Sequence, residues 1–223
     1  MGYGRYMMKF NVLALIIGVF CASSLVQAEE TRRIVAIGDS LTAGYGLPTG
    51  EDFVTQLETA LQEKGYQVEI ENAGFSGDTT AGGLQRLDWA IGNGADFVIL
   101  ELGANDALRG LPPEAAKQNL AAILDSLKAA GTRVLLVGMK APRNYGPDYK
   151  QAFDAIYPEL AGRFGAVLHP DAFAGIAAEA GEDPAAAQAY VQDDGIHPNA
   201  KGVALNVAAL GPAALQLVEM IRK

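Results

Sequence analysis

The sequence predicts an α/β fold in which a doubly wound parallel sheet is covered by helices on both faces. Short runs of apolar and β-branched residues alternate with longer segments in which apolar residues recur at helical spacing. The apolar run 34–37 stops directly at Gly38, which is followed by Asp39 and Ser40, as a buried parallel strand does at a turn. Strands that alternate with helices along a chain indicate a parallel sheet with a helix in each crossover.

Five strands and five longer helices follow from this alternation. The predicted strands are 34–37, 68–70, 97–100, 134–137 and 167–168. The predicted helices are 53–61, 84–91, 113–127, 153–160 and 203–221. Gly65, Gly92 and Gly131 follow three of these helices, and Pro112-Pro113 begins another, which are ordinary signals for helix ends and starts.

Polar turns follow the first three strands. They are Gly38-Asp39-Ser40, the Gly-rich turn 72–80, and Gly103-Ala104-Asn105-Asp106. Because ligands bind at the carboxyl edge of an open parallel sheet, we expect these turns to form a site together.

Two further segments carry no strand pattern. The segment 140–149 contains prolines and a glycine and is predicted to be a mobile loop facing the substrate. The Ala-rich segment 177–189 is predicted to be a helical excursion on the surface.

The N-terminal 28 residues resemble a secretory signal peptide. Arg5 and Lys9 precede an apolar run, and small Ala28 ends the segment with Val26 two positions before it. We therefore expect residues 1–28 to be removed, residues 29–223 to form a single domain, and the protein to be periplasmic or secreted. Cys21 would suit a lipoprotein, but the bulky Phe20 before it disfavours lipidation.

The composition of the chain argues against several classes of binding partner. The chain has 17 basic and 26 acidic residues, a net charge of −9, which disfavours nucleic acid and anionic membranes as standing partners. We expect no stable membrane insertion once the signal peptide is gone. The only cysteine lies in that peptide, and two histidines are too few for a dedicated zinc site, so we expect neither a metal nor a cofactor.

Ser40, Asp194 and His197 supply the side chains that acyl transfer by a serine requires. Ser40 follows the first strand, and Asp194 stands three residues before His197, so its carboxylate can reach Nδ1 and leave Nε2 for Ser40. Gly77 can offer an unobstructed backbone N–H, and Asn105 a side-chain amide, to a substrate oxygen beside Ser40. The pattern predicts a serine nucleophile with its base and its orienting acid.

These residues resemble the SGNH hydrolases, also called GDSL esterases. The matching blocks are Gly38 to Leu41, 72–78, 103–106 and Asp194 to Pro198, in the family's order. The resemblance implies a flavodoxin-like three-layer α/β/α sandwich with a central, mainly parallel five-stranded sheet. It also implies an oxyanion hole made by Gly77, Asn105 and the backbone N–H of Ser40. Gly74 competes with Gly77 for this role, and the sequence Ser76-Gly77-Asp78-Thr79 favours Gly77.

Within the family, the chain is similar to the secreted bacterial acyl-thioesterase, lysophospholipase and arylesterase group. This implies a serine esterase that hydrolyses small acyl esters and thioesters through an acyl-enzyme intermediate. A carbohydrate acetylesterase and a non-catalytic ligand-binding protein on the same fold stay open as alternatives. A nucleotide-binding oxidoreductase is disfavoured, because the third glycine after Gly44 and Gly46 is misplaced for that fingerprint.

Four other residues that could serve in a site are expected to have structural roles instead. We expect Asp39 and Asp106 to brace turns through backbone hydrogen bonds. We expect His169 to be structural and Trp89, the single tryptophan, to serve packing rather than substrate recognition.

Overall fold

The structure is a computed structural model that describes residues 1–2, 30–181 and 183–220. The predicted signal peptide, apart from its first two residues, lies outside the described residues.

Five parallel strands form one sheet at the centre of the molecule. They are β1 (Arg32–Gly38), β2 (Val68–Gly74), β3 (Phe97–Glu101), β4 (Arg133–Val137) and β5 (Val167–His169). Their order across the sheet is β2-β1-β3-β4-β5, and every pairing between neighbours is parallel. Because β1 lies between β2 and β3, the turns that follow these three strands meet at one edge, as the sequence predicted.

Helices fill the connections between the strands. They are α1 (Ser40–Ala43), α2 (Phe53–Glu63), α3 (Thr80–Gln85), α4 (Leu87–Ile91), α5 (Ala104–Leu108), α6 (Pro113–Ala129), α7 (Pro147–Asp154), α8 (Ile156–Phe164), α9 (Ala174–Ala180), α10 (Pro184–Ala187) and α11 (Ala200–Glu219). Local signals explain several boundaries: the side chain of Asp52 accepts from the N–H of Thr55 at the start of α2, and Asn199 caps α11 in the same way.

The two faces of the sheet carry separate hydrophobic clusters. Val35 and Ile37 of β1 point to one face, where they pack with residues of α6 and α8 such as Leu120. Ile34 and Ala36 point to the other face, where α2 and α11 cover them. Side chains alternate along a strand, so a run that is apolar at every position must be covered on both sides. The predicted three-layer α/β/α architecture is confirmed.

The last helix, α11, is long and apolar enough to cross a membrane by length and composition alone. Its residues Val207, Leu210 and Leu217 are nevertheless buried against the sheet and α2. This packing accounts for its apolar composition as that of a core helix.

The structure differs from the sequence-based elements in several places. The helix predicted over 153–160 is divided between α7 and α8, which meet at Ala155. Strand β2 continues through Asn72 to Gly74, because Gly74 pairs with Gly38 of β1. The helix predicted over 84–91 is two short helices, α3 and α4. The predicted loop 140–149 contains a 3₁₀ turn (Arg143–Tyr145) and the start of α7. The surface excursion predicted at 177–189 is only partly exposed, since Ala180 of α9 is buried.

Candidate active site

Ser40 is the first residue of α1, directly beyond the end of β1. The carboxylate of Asp39 accepts from the N–H of Leu41 at 3.0 Å and caps this short helix. Gly38 is required for the turn, since a Cβ there would stand 2.0 Å from Oγ1 of Thr42. The turn presents the Ser40 hydroxyl at the carboxyl edge of the sheet.

The turn before α11 brings an acid and an imidazole to Ser40. Oδ1 of Asp194 accepts from the backbone N–H groups of Ile196 and His197, which fixes the carboxylate inside its own turn. Oδ2 of Asp194 lies 2.6 Å from Nδ1 of His197, and Nε2 of His197 lies 2.8 Å from Oγ of Ser40. The structure therefore joins the three predicted side chains in one hydrogen-bonded chain.

Electrostatics select the tautomer of His197. Hydrogen bonds from the His197 side chain, and then from the His197 and Ile196 backbone, lower the pKa of Asp194 to about 2. Asp194 is therefore an ionised acceptor at neutral pH and holds the proton on Nδ1 of His197. Nε2 is then free to accept the proton of the Ser40 hydroxyl.

A second segment steadies the histidine turn. The ring of Tyr45 lies 4.6 Å from the ring of His197, centroid to centroid. The side chain of Gln192 donates to the carbonyl groups of Tyr45 and Pro198, at 2.8 and 3.0 Å. These bonds tie the segment after α1 to the turn that carries His197.

Gly77 and Asn105 line the same cleft as His197. The cleft encloses about 670 Å³ and is lined by Ser40, Gly77, Asn105 and His197, among others. Gly77 has a φ of +87°, a conformation that favours glycine. The N–H of the competing Gly74 is already bonded to Oδ1 of Asn72 at 2.9 Å, which leaves Gly77 as the better donor to a substrate.

Other residues of the cleft are mainly apolar. They are Leu41, Tyr45, Ala104, Ala107, Leu108, Met139, Pro142, Phe173 and Ile196, with Ser76, Lys140, Asp171 and Gly195. Tyr45, Leu108 and Ile196 are each about half exposed, so this wall faces solvent. Among the residues that the structure describes, no three His, Cys, Asp or Glu side chains come together as a metal site would require.

Two buried carboxyl groups lie beneath the nucleophile turn. Burial raises the pKa of Asp39 to about 6, and burial also raises the pKa of Glu101 well above its usual range. Oε2 of Glu101 accepts from the hydroxyl of Thr42 at 2.8 Å. Within the described part of the chain, Oε1 of Glu101 has no hydrogen-bond partner.

Asp39 and Asp106 brace turns through hydrogen bonds, as expected, and Asp106 also connects α5 to α3. Asp39 caps α1, and Asp106 accepts from both the N–H and the hydroxyl of Thr80, at 2.8 and 2.6 Å.

His169 is buried at the end of β5, which lowers its pKa and fits the structural role expected for it. Trp89 is 77% exposed, so the prediction that it serves packing is wrong.

Sequence reasoning missed Arg86, which ties the cleft turns together. Its guanidinium is paired with Asp78 and donates to the carbonyl groups of Ala73 at 2.7 Å and Gly38 at 2.9 Å. Arg86 thereby fastens the ends of β1 and β2 to the turn that carries Gly77. Arg86 lies inside the helix predicted over 84–91, and no local sequence pattern indicates these contacts.

One protein-family model matches most of the chain. A model of the GDSL-like lipase/acylhydrolase family matches residues 36–205. This range includes Ser40, Gly77, Asn105, Asp194 and His197.

Three named relatives align with most of the chain. Esterase TesA of Pseudomonas aeruginosa is 37% identical over 82% of this chain and 88% of its own length. The arylesterase of Vibrio mimicus is 36% identical over 84% and 89%. Thioesterase 1/protease 1/lysophospholipase L1 of Escherichia coli K12 is 38% identical over 78% of each.

Solved structures of relatives share the fold. A crystal structure of TesA has a TM-score of 0.75 at 36% identity and covers 83% of this chain and 99% of its own. AlinE4, an SGNH-hydrolase family esterase, has a TM-score of 0.67 at 43% identity over 84% and 97%. These matches agree with the parallel sheet and with the sequence blocks that line the cleft. The chain belongs to the GDSL-like lipase/acylhydrolase family.

Proposed function

We propose that the protein is a serine esterase in which Ser40 is the nucleophile, His197 the general base and Asp194 the acid that orients it. The observation that carries the proposal is the hydrogen-bonded chain from Asp194 through His197 to Ser40, at 2.6 and 2.8 Å. Both distances are within the reach that proton transfer requires. The family and the names of the relatives support ester hydrolysis.

The reaction proceeds in two steps. Oγ of Ser40 attacks the acyl carbon as Nε2 of His197 takes its proton, and His197 then gives that proton to the leaving alcohol or thiol. The acyl group is left as an ester on Ser40. Water then attacks this ester, with His197 again taking a proton and returning it to Oγ, so that the carboxylic acid and the free serine are restored.

Negative charge develops on the substrate carbonyl oxygen in both steps. We assign its stabilisation to the backbone N–H groups of Ser40 and Gly77 and to the side-chain N–H of Asn105. This assignment is supported by the cleft, which Ser40, Gly77 and Asn105 all line. Donors held in place before the reaction lower the barrier because they need no rearrangement as the charge forms.

The shape of the cleft favours a broad substrate range. An open wall of apolar side chains offers contact to an acyl chain and few polar groups that would select one leaving group. We therefore propose carboxylic esters of good leaving groups, such as aryl esters, together with acyl thioesters and lysophospholipids. The names arylesterase and thioesterase 1/protease 1/lysophospholipase L1 of two relatives support these classes.

We also propose that residues 1–28 direct the chain to the periplasm or the medium and are removed, leaving residues 29–223 as one domain. The support is the charged start, the apolar run and the small residue Ala28. N-terminal sequencing of protein collected outside the cytoplasm should begin at Glu29. An intact Met1 in that material would contradict this processing.

The substrate proposal is tested with p-nitrophenyl esters of increasing acyl length, alongside an acyl thioester, a lysophospholipid and an acetylated sugar. Each methylene that contacts the apolar wall should lower the barrier by at most about 0.8 kcal/mol, so the preference should rise in steps and then level off. The matched control is Ser40→Ala, which should be inactive on all of them.

Two other outcomes would select the alternatives. Activity on the acetylated sugar alone would indicate a carbohydrate acetylesterase. An absence of turnover on the whole panel would favour a binding protein.

A further inference from the structure

The side-chain amide of Asn105 is held at both of its polar atoms. Its Nδ2 donates to Oδ2 of Asp39 at 3.2 Å, and its Oδ1 accepts from Nη2 of Arg109 at 3.4 Å. A carboxylate only accepts hydrogen bonds and a guanidinium only donates them. Turning the amide over would set oxygen against oxygen and nitrogen against nitrogen, so the two partners select one orientation.

Asp39 links this amide to the nucleophile turn. Its side chain is fully buried, and its second oxygen accepts from the N–H of Leu41 at 3.0 Å. One carboxylate thus holds the start of α1, where Ser40 stands, and the amide of Asn105. Of the two hydrogens on Nδ2, one is used in the bond to Asp39 and the other remains for a substrate oxygen.

Arg109 links the same amide to the Gly77 turn. It lies four residues after Asn105, one helical turn further along the chain, and its Nη2 also donates to the carbonyl oxygen of Gly77 at 2.9 Å. A single guanidinium therefore contacts the residues that supply two of the proposed oxyanion donors. Arg109 is exposed, so its substitution does not open the core.

We propose that Asp39 and Arg109 are positioning residues for the oxyanion hole, which hold the Asn105 amide in its donating orientation and at a fixed place relative to Ser40 and Gly77. This inference rests on the proposed function. It assigns to Asp39 a role beyond capping α1 and to Arg109 a role that does not require contact with substrate.

Asp39→Asn tests the first contact. The new side chain keeps an oxygen for the N–H of Leu41 but can place its NH₂ group against the NH₂ group of Asn105. We expect kcat to fall on the order of 10- to 100-fold with little change in KM, because the misplaced donor acts mainly in the transition state.

The double variant separates positioning from general damage. In an Asn105→Ala background the amide is absent, so Asp39→Asn should reduce kcat by less than about 3-fold more. Equal losses from Asp39→Asn in both backgrounds would overturn the proposal for Asp39.

Arg109→Ala tests the second contact without disturbing a buried group. We expect kcat to fall about 3- to 10-fold at nearly constant KM. The matched control is Arg133→Ala, an exposed arginine at the start of β4 on the opposite edge of the sheet, which should keep wild-type kcat. A rise in KM at constant kcat would instead indicate that Arg109 binds substrate and would overturn its positioning role.

A nuclear magnetic resonance measurement reads the amide without any turnover. The side-chain N–H signals of Asn105 are identified in ¹⁵N-labelled protein as the pair missing from Asn105→Ala. We expect this pair to shift or broaden in Asp39→Asn and in Arg109→Ala and to stay in place in Arg133→Ala. An unchanged pair in both test variants would overturn the inference, whereas absent turnover in the wild type would count only against the proposed function.

Discussion

Nε2 of His197 lies 2.8 Å from Oγ of Ser40, although 157 positions separate the two residues in the chain. Ser40 follows strand β1, and His197 lies in the turn before the last helix, α11. The contact therefore depends on the packing of α11 against the sheet, and the Asp194 turn then fixes the direction of the ring.

The bond between Asp194 and His197 makes Asp194→Asn a severe change. The amide can no longer act as a charged acceptor for Nδ1–H, so His197 loses its preferred tautomer. We expect kcat on a p-nitrophenyl ester to fall on the order of 10³- to 10⁴-fold. Asp193→Asn, at the exposed neighbouring position, is the control and should remain fully active. Activity of Asp194→Asn within tenfold of wild type would contradict the assigned role.

Asn105→Ala removes one proposed oxyanion donor. Loss of such a donor costs on the order of 10²- to 10³-fold in kcat, or about 3–4 kcal/mol, and leaves KM nearly unchanged. Steady-state kinetics on one aryl ester give both constants. Asn93→Ala, which lies between α4 and β3 near the opposite edge, should match the wild type. An unchanged kcat in Asn105→Ala would remove Asn105 from the mechanism.

Short sequence patterns made much of the candidate active site predictable. Gly38 to Ser40, the turn around Gly77 and the segment around His197 are local patterns, and the rule that parallel strands end at one edge brings them together. The relatives confirm the predicted family, and the structure confirms the parallel sheet.

What the sequence did not predict depends on contacts between distant segments. Arg86 and Arg109 bond to backbone carbonyl groups of other elements, and no spacing of residues along the chain encodes those partners. The extension of β2 to Gly74 comes from pairing with β1. Trp89 is exposed because α4 is short and turns Leu87 and Ala90 toward the core instead.

The buried carboxyl of Glu101 should make stability depend on pH. Burial raises its pKa above the ordinary value of 4.5, so the folded chain keeps this proton to higher pH than the unfolded chain does. Unfolding then releases a proton, and the free energy of unfolding falls as pH rises above about 4.5. Asp39, with its pKa raised from 3.8 to about 6, acts in the same direction.

Urea unfolding at pH 5 and pH 8 measures this effect. Glu101→Gln, which cannot ionise, should lose less stability between the two values than the wild type does. The exposed Glu69→Gln is the matched control and should keep the wild-type difference. The same loss in Glu101→Gln as in the wild type would show that Glu101 does not hold the proton.

Mass spectrometry after reaction with a p-nitrophenyl alkylphosphonate tests most directly that Ser40 is the nucleophile. The wild type should gain one phosphonyl group, peptide mapping should place it on Ser40, and esterase activity should disappear in proportion to labelling. Ser40→Ala should gain no group and show no turnover, while its thermal unfolding stays close to that of the wild type. A phosphonyl group on another residue, or near-normal kcat in Ser40→Ala, would contradict the mechanism.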